Sequence, residues 1–188
     1  MSKFLWVDTE TTGLSAEKHG IITMAGFIQT SDGTIGNCFD YSCQPHPNDE
    51  VNPRALEVNG YTMGQISAFE DSYNVISTWE SFLREEVNPF DTKDKLTMIG
   101  YNTAFDMRFL ASWFRKHGNP YFYSYFEKDV IDVLKLVRMY CKTEGLELPN
   151  KKLMTVAKHF NIDVDFHTAM GDIIATYEIH RIITSSVS

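Results

Sequence analysis

The sequence has 188 residues, about the length of one domain, and 43% of them are hydrophobic, which is ordinary for a globular protein. Acidic residues outnumber basic residues by 25 to 17, and the formal net charge of −8 argues against a protein that coats nucleic acid through a broad basic face. An enzyme that meets nucleic acid through bound cations remains compatible with this charge.

The N-terminal half begins with apolar runs typical of strands, over residues 3–7, 20–29 and 34–43, of which the last two flank a turn and predict a hairpin. Asn52 and Pro53 then predict the N-cap and first residue of a short helix, which Gly60 ends. Apolar residues at helical spacing predict a longer helix over residues 69–87. These elements place a hairpin and two helices before the middle of the chain.

The C-terminal half predicts a strand over residues 95–102 and then four helices, over residues 103–118, 129–141, 151–160 and 168–183. The run 142–150 is the expected flexible loop. We therefore predict a single α/β domain over residues 1–188, with a central mixed sheet flanked by helices.

Two carboxylates follow the first apolar run. Successive side chains of an extended chain alternate in direction, so Asp8 and Glu10 share one face. Two adjacent like charges repel unless a cation lies between them, and hard divalent ions such as Mg²⁺ or Mn²⁺ take carboxylate oxygens. A solvated strand end also explains such a pair, so both interpretations stay open here.

Two later segments place an acidic residue at the start of a helix. Asp106 falls in the first turn of the helix over 103–118, among mostly apolar neighbours. His167 precedes the last helix, and Asp172 heads a helical face that continues with the apolar residues Ala175, Ile179 and Ile182. The helix dipole also favours an acid at this position, so each segment alone keeps an ordinary structural explanation.

Taken in order, the three segments resemble the DEDDh subgroup of the DEDD 3′–5′ exonucleases, the group of the proofreading subunit of bacterial replicative DNA polymerase. The resemblance rests on the runs DTETTGL, NTAFDMRFL and HTAMGD, in which the histidine stands five residues before the last aspartate. It covers nearly the whole chain and implies a ribonuclease H-like fold. One departure is the run Ile21-Ile22-Thr23-Met24, where family members often carry an Ile-Ile-Glu-Ile-like sequence.

The resemblance also implies roles for individual residues. It implies five catalytic residues, namely Asp8, Glu10, Asp106, His167 and Asp172. The four carboxylates among them are implied to hold two Mg²⁺ or Mn²⁺ ions. Two metals roughly 4 Å apart can stabilise the attacking and leaving oxygens of an in-line displacement at phosphorus. The histidine is implied to be the general base that takes a proton from the attacking water. The residues implied to bind substrate are Thr11, Leu14, Asn102, Phe105 and His167.

The expected reaction is the release of nucleoside 5′-monophosphates from the 3′ end of DNA, with single strands preferred. The motifs do not separate DNA from RNA, so an RNA 3′ exonuclease of the same fold is an alternative. A second alternative is a proofreading subunit whose main role is to dock on a DNA polymerase. A non-catalytic binding module predicts the loss of at least one of the five catalytic residues, and all five are present.

Charge and cysteine patterns add three expectations. The three cysteines form no C-x-x-C pair, which indicates neither a disulfide framework nor a zinc site and favours a reducing, cytoplasmic location. No apolar run approaches the roughly 20 residues that cross a bilayer, so we expect no membrane partner. Two short stretches each carry a net charge of +3. Residues 107–126 contain three basic and no acidic residues, and residues 138–159 contain five basic and two acidic residues. We therefore expect few phosphate contacts and a shallow dependence of binding on salt.

Overall fold

The centre of the fold is a mixed sheet of five strands in the order β3-β2-β1-β4-β5, in a computed structural model that describes residues 2–185. The strands are β1 (Lys3–Thr11), β2 (Ile21–Thr30), β3 (Ile35–Ser42), β4 (Leu96–Gly100) and β5 (Ile131–Asp132). β1 pairs antiparallel with β2 and parallel with β4. β3 extends the antiparallel side and β5 the parallel side, so the predicted hairpin and mixed sheet are confirmed.

Seven α-helices lie within residues 2–185: α1 (Pro53–Asn59), α2 (Met63–Ser67), α3 (Ser72–Glu86), α4 (Ala104–Lys116), α5 (Val133–Thr143), α6 (Leu153–His159) and α7 (Ala169–Ser185). One core joins α3 and α4 to the sheet, and a second core joins α5, α6 and α7 to it. Helices thus flank the sheet, as the α/β prediction requires. None of the helices in this part of the chain is long and apolar enough to span a bilayer. The extent of the domain, residues 1–188, stays a prediction.

The caps of α1 confirm its predicted boundaries. The side chain of Asn52 accepts a hydrogen bond from the backbone N–H of Arg54 at 3.0 Å, and Gly60 ends the helix in the left-handed conformation. Helix α2 was not predicted from the sequence, although Thr62 and Gln65 form a capping box at its start. Five residues are too few to establish a helical period of apolar side chains, so this capping box was the only available signal.

The predicted helix over 129–141 is wrong at its start. Ile131 and Asp132 form β5 and pair in parallel with Ile99 and Gly100, and α5 begins only at Val133. The Asp132 carboxylate accepts from the backbone N–H of Leu134 at 3.0 Å and caps the helix. Similarly, Asp71 caps α3, so that helix begins at Ser72 rather than at residue 69. In both cases an aspartate within the apolar pattern marks the true boundary.

The alternation of side chains along β1 sets up the functional end of the sheet. Leu5 and Val7 pack in the core with α3 and α4, whereas Trp6 packs in the core with α5, α6 and α7. Burial on both faces explains why this strand begins as a continuous apolar run. The same alternation sends Asp8 and Glu10 toward the α7 side and the residue between them toward the α4 side.

Candidate active site

Three carboxylates converge at the carboxyl end of β1. Oxygens of Asp8, Glu10 and Asp172 lie within 4.8 Å of one another. The strand supplies the first two from one face, and the first turn of α7 supplies the third. Since β1, β4 and β5 are parallel, their carboxyl ends meet at this edge, where ligand sites of α/β sheets lie.

Asp106 reaches the same strand end from the opposite face. It lies in the first turn of α4 and is buried. One of its carboxylate oxygens accepts from the backbone N–H of Thr9 at 3.1 Å and from the Thr9 hydroxyl at 2.8 Å. These hydrogen bonds to a carboxylate are strong and fix its orientation. The structure therefore places Asp106 beside the three-carboxylate group, with its own anchor on the strand.

Burial raises the pKa of all four carboxyls, and for Asp8 and Glu10 the neighbouring carboxylates raise it further. Burial, reinforced by Asp172 and Asp106, raises the pKa of Glu10 to about 8. Burial also raises the pKa of Asp106 to about 7, against the opposing effect of its hydrogen bonds from Thr9. The pKa of Asp8 is raised well above its usual range by burial first and then by the surrounding carboxylates. The four carboxylates therefore cannot all ionise without penalty unless a cation lies among them.

The polar atoms of the cluster fit a divalent cation. Oδ1 of Asp172 is buried and has no hydrogen-bond partner among the residues that the structure describes. A buried acceptor without a partner costs about 1–3 kcal/mol, and coordination of a cation would remove that penalty. All the converging donor atoms are carboxylate oxygens, which suit hard ions such as Mg²⁺ and Mn²⁺.

His167 lies on the exposed loop that leads into α7. Its backbone has a positive φ of 67°, an uncommon conformation for a residue other than glycine. Burial raises the pKa of Asp172, against the opposing effect of the backbone amide and the ring charge of His167. Gly171 allows the loop to pack on the helix, because a Cβ there would lie 1.9 Å from the carbonyl oxygen of Asp165. The loop therefore holds His167 close enough to Asp172 for the histidine to influence the ionisation of that carboxyl.

An open cleft of about 290 Å³ lies beside Glu10. This active-site cleft is lined by three of the predicted substrate-binding residues, namely Thr11, Leu14 and Phe105. Leu14 is 85% exposed, so its apolar side chain is accessible to a ligand in the cleft.

Helix α1 supplies the other wall of this cleft, with Asn52, Arg54, Val58 and Asn59. Asn59 donates from its side-chain amide to the carbonyl oxygen of Thr11 at 2.9 Å, which fixes the end of β1 against the helix. This helix was predictable from the sequence, but a binding role for its residues was not. The capped boundary at Asn52 was the one available signal, and it indicated structure rather than binding.

The structure does not bring all the predicted substrate-binding residues into this cleft. Neither Asn102 nor His167 is among the described residues that line it. The backbone of Asn102 has a positive φ of 67°, and its N–H donates to the Asp132 carboxylate at 3.0 Å. Asp132 thus supports the loop that precedes α4, a role that its position within the predicted helix over 129–141 did not reveal.

Comparison with known proteins identifies the family. The RNase_T family model, described as an exonuclease, matches residues 5–180. The chain belongs to this exonuclease family. The exonuclease is 30% identical over 181 residues to the PolC-type DNA polymerase III of Halalkalibacterium halodurans and 28% identical over 176 residues to that of Bacillus subtilis. These matches cover 93% and 90% of the chain but only 11% and 10% of the two polymerases.

Solved structures share the fold of the exonuclease. An E. coli exonuclease I structure matches with a TM-score of 0.77 and 21% identity, over 98% of this chain and 41% of that one. A second E. coli exonuclease I structure, of a zinc-bound form, matches with a TM-score of 0.80, over 99% and 41%. The family and these neighbours confirm the predicted resemblance to DEDDh-type 3′–5′ exonucleases with a ribonuclease H-like fold.

Proposed function

We propose that this exonuclease removes nucleotides from the 3′ end of single-stranded DNA and releases nucleoside 5′-monophosphates, with Mg²⁺ or Mn²⁺ bound at its carboxylates. The observation that carries the proposal is the convergence of Asp8, Glu10 and Asp172 at the edge of an open cleft, with a buried oxygen left unpaired. Two comparisons support single-stranded DNA as the substrate. The relatives are DNA polymerases, and one structural neighbour is described in complex with a dT13 oligonucleotide.

The proposal gives each carboxylate a role that its geometry suits. Asp8, Glu10 and Asp172 would hold one divalent cation, and Asp8 with Asp106 would hold or support a second. When bound, the cations would stabilise the negative charge that develops on the phosphoryl oxygens. Thr9 keeps Asp106 oriented through its two hydrogen bonds. The cluster itself cannot attract a phosphate, since all its groups are acids.

The remaining roles belong to the loop before α7 and to the active-site cleft. His167 would accept a proton from the attacking water, which requires its neutral form. Leu14 and Phe105 would hold the terminal nucleotide, because apolar and aromatic side chains contact any base without reading its sequence. Both side chains line the cleft beside Glu10, so a nucleotide seated there meets the carboxylates.

The proposed activity has a direct test with end-labelled linear DNA, linear RNA and circular single-stranded DNA. We expect the linear DNA to be shortened from its 3′ end with Mg²⁺ or Mn²⁺, and no hydrolysis in excess chelator. The circular strand should survive, because it has no end. Unchanged activity in chelator, or cleavage of the circle, would contradict the proposal. Faster digestion of RNA than of DNA would assign the enzyme to RNA ends instead.

Replacing His167 by glycine should lower kcat by about 10²–10⁴-fold, the usual contribution of a positioned general base. Glycine accepts the positive φ at this position, so the loop geometry should persist while the imidazole is lost. We expect the variant to bind Mn²⁺ as the parent does, and added imidazole to restore part of the rate. A variant with near-parental kcat and an unchanged pH profile would remove His167 from the mechanism.

Association with a replicative polymerase is a second proposal. It is favoured by the match to a segment of PolC-type DNA polymerase III, of which this chain spans about 11%. We expect the exonuclease to be recovered with the replicative polymerase of its own cell at physiological salt. Recovery of the protein without any polymerase would contradict this second proposal and would not affect the proposed exonuclease activity.

A further inference from the structure

A second cleft, of about 520 Å³, adjoins the active-site cleft. Leu14 lines both clefts, so the two meet at this exposed side chain. We call the second cleft the α4 groove; its wall residues include Ser15, Glu17, Arg108, Ala111, Arg115 and Tyr123. The groove therefore begins where a terminal nucleotide would sit and leads away from the carboxylates.

One side of α4 forms the floor of this groove. Met107, Arg108, Ala111, Ser112 and Arg115 all line it, and their spacing places them along one side of a helix. The same helix carries Asp106 in its first turn, on the side that meets β1. A single rigid element thus fixes the positions of the groove cations relative to the catalytic end of the sheet.

Both arginines of the groove are accessible to an anionic ligand. Arg108 is exposed and forms no ion pair in the part of the chain that the structure describes. Arg115 pairs with Glu17 at 2.9 Å, but their side chains are 60% and 76% exposed. An ion pair this exposed contributes little, so an incoming anion can replace the glutamate.

An aromatic side chain completes the surface. Tyr123 lines the groove and is 45% exposed. Cations that follow a phosphate backbone, combined with aromatic side chains on which bases stack, are the general features of a single-strand binding channel. No acidic residue occurs between residues 107 and 126, in a chain whose net charge is −8. The α4 groove is therefore the surface beside the active site that matches a polyanion.

We propose that the α4 groove binds the single strand on the 5′ side of the nucleotide being removed. Arg108 and Arg115 contact phosphates, Tyr123 stacks on a base, and Glu17 competes with the strand for Arg115. This inference rests on the proposed exonuclease function, and it explains how a strongly acidic enzyme holds a nucleic acid beyond its terminal nucleotide.

The test uses substrate length as its variable. In Arg108→Gln/Arg115→Gln, we expect KM for an oligothymidylate of about twelve nucleotides to rise about five- to tenfold, since each exposed charge contact contributes a few-fold. The dependence of log binding on log salt should become shallower by about 1.4, because each phosphate that an arginine neutralises contributes roughly 0.7 to the slope. A thymidine dinucleotide is too short to fill the groove, so its kcat/KM should not change. Glu17→Gln should lower KM for the long substrate.

Lys142→Gln/Lys158→Gln is the matched control, because it also removes two exposed cations but from α5 and α6, on the opposite face of the sheet. We expect it to bind the long substrate as the parent does. Parental KM for the long substrate in the arginine variant would overturn the inference, as would weakening in the lysine variant alone.

A binding measurement separates failure of the groove from failure of the proposed function. Anisotropy of a labelled oligothymidylate, measured in chelator, reports binding whether or not the protein hydrolyses anything. If the parent hydrolyses no substrate at all, the proposed activity is wrong. The groove is then judged by anisotropy alone, where equal affinity of the parent and the arginine variant would overturn it.

Discussion

Replacing Asp8 or Asp172 by asparagine, one at a time, should lower kcat by at least about 10³-fold, since each change removes a charged ligand from the proposed metal site. The same changes should make the metal-free protein more stable. Each removes one like charge from a cluster whose members raise one another's pKa, and each places an amide N–H among carboxylate oxygens. A gain of about 1 kcal/mol would raise Tm by about 2–4 °C for a protein of this size.

The measurement pairs single-turnover rates in Mn²⁺ with thermal unfolding in chelator. Asp163→Asn is the control, because Asp163 is exposed in the loop between α6 and α7 and lies outside the carboxylate cluster. It should keep both the rate and the Tm of the parent. A lower Tm in the Asp8 or Asp172 variant, together with lost activity, would indicate that the residue is needed for the fold and would contradict its role as a ligand.

Asp8 and Glu10 illustrate how much of the site the sequence could predict. Their spacing on a strand placed them on one face, and the structure confirms that they point together toward α7. The motif around Asp172 predicted the helix that meets them, because its apolar residues repeat at helical spacing on one side. Local periodicity was sufficient here, since each residue belongs to an element whose period fixes the direction of its side chain.

Asp106 shows where local patterns stop being informative. Its place in the first turn of a helix was predictable, but its approach from the opposite face of β1 was not. That approach depends on which face α4 covers, and Thr9, its hydrogen-bond partner, is 97 residues away. The same limit explains the misplaced start of α5. The pairing of Ile131 and Asp132 with β4 is a long-range contact, and it outweighed a helical pattern that began at residue 129.

The acidic and the basic side chains around the site lie at separate places, and this separation has a functional consequence. The carboxylates gather at the carboxyl end of β1, while the groove side of α4 carries arginines that begin two residues after Asp106. A polyanion approaching the acidic end alone would be repelled. The proposed cations neutralise that end, and the α4 groove would hold the rest of the strand. Seating of the 3′ end therefore depends on the cations, whereas the groove binds the rest of the strand with or without them, which separates metal-dependent chemistry from length-dependent affinity.

The metal-free protein should lose stability as pH rises from about 5 to 8. In the unfolded chain Asp and Glu titrate near 4. In the folded protein burial and neighbouring carboxylates keep Glu10 protonated up to about 8 and Asp106 up to about 7. Over this interval the folded state binds more protons than the unfolded state, so the free energy of unfolding falls with rising pH. The loss should be on the order of a few kcal/mol, or roughly 10 °C in Tm.

Saturating Mg²⁺ or Mn²⁺ should remove most of this loss. A bound cation favours ionised carboxylates and binds only the folded cluster, so it stabilises the protein most where the metal-free form is weakest. Thermal unfolding across the pH interval, in chelator and in each divalent salt, measures the effect, with NaCl at matched ionic strength as the control. Asp8→Asn should flatten the metal-free profile, because one repelling charge is gone. A metal-free profile that is level or rises with pH would show that the cluster ionises without penalty, and the electrostatic argument for a cation site would then fail.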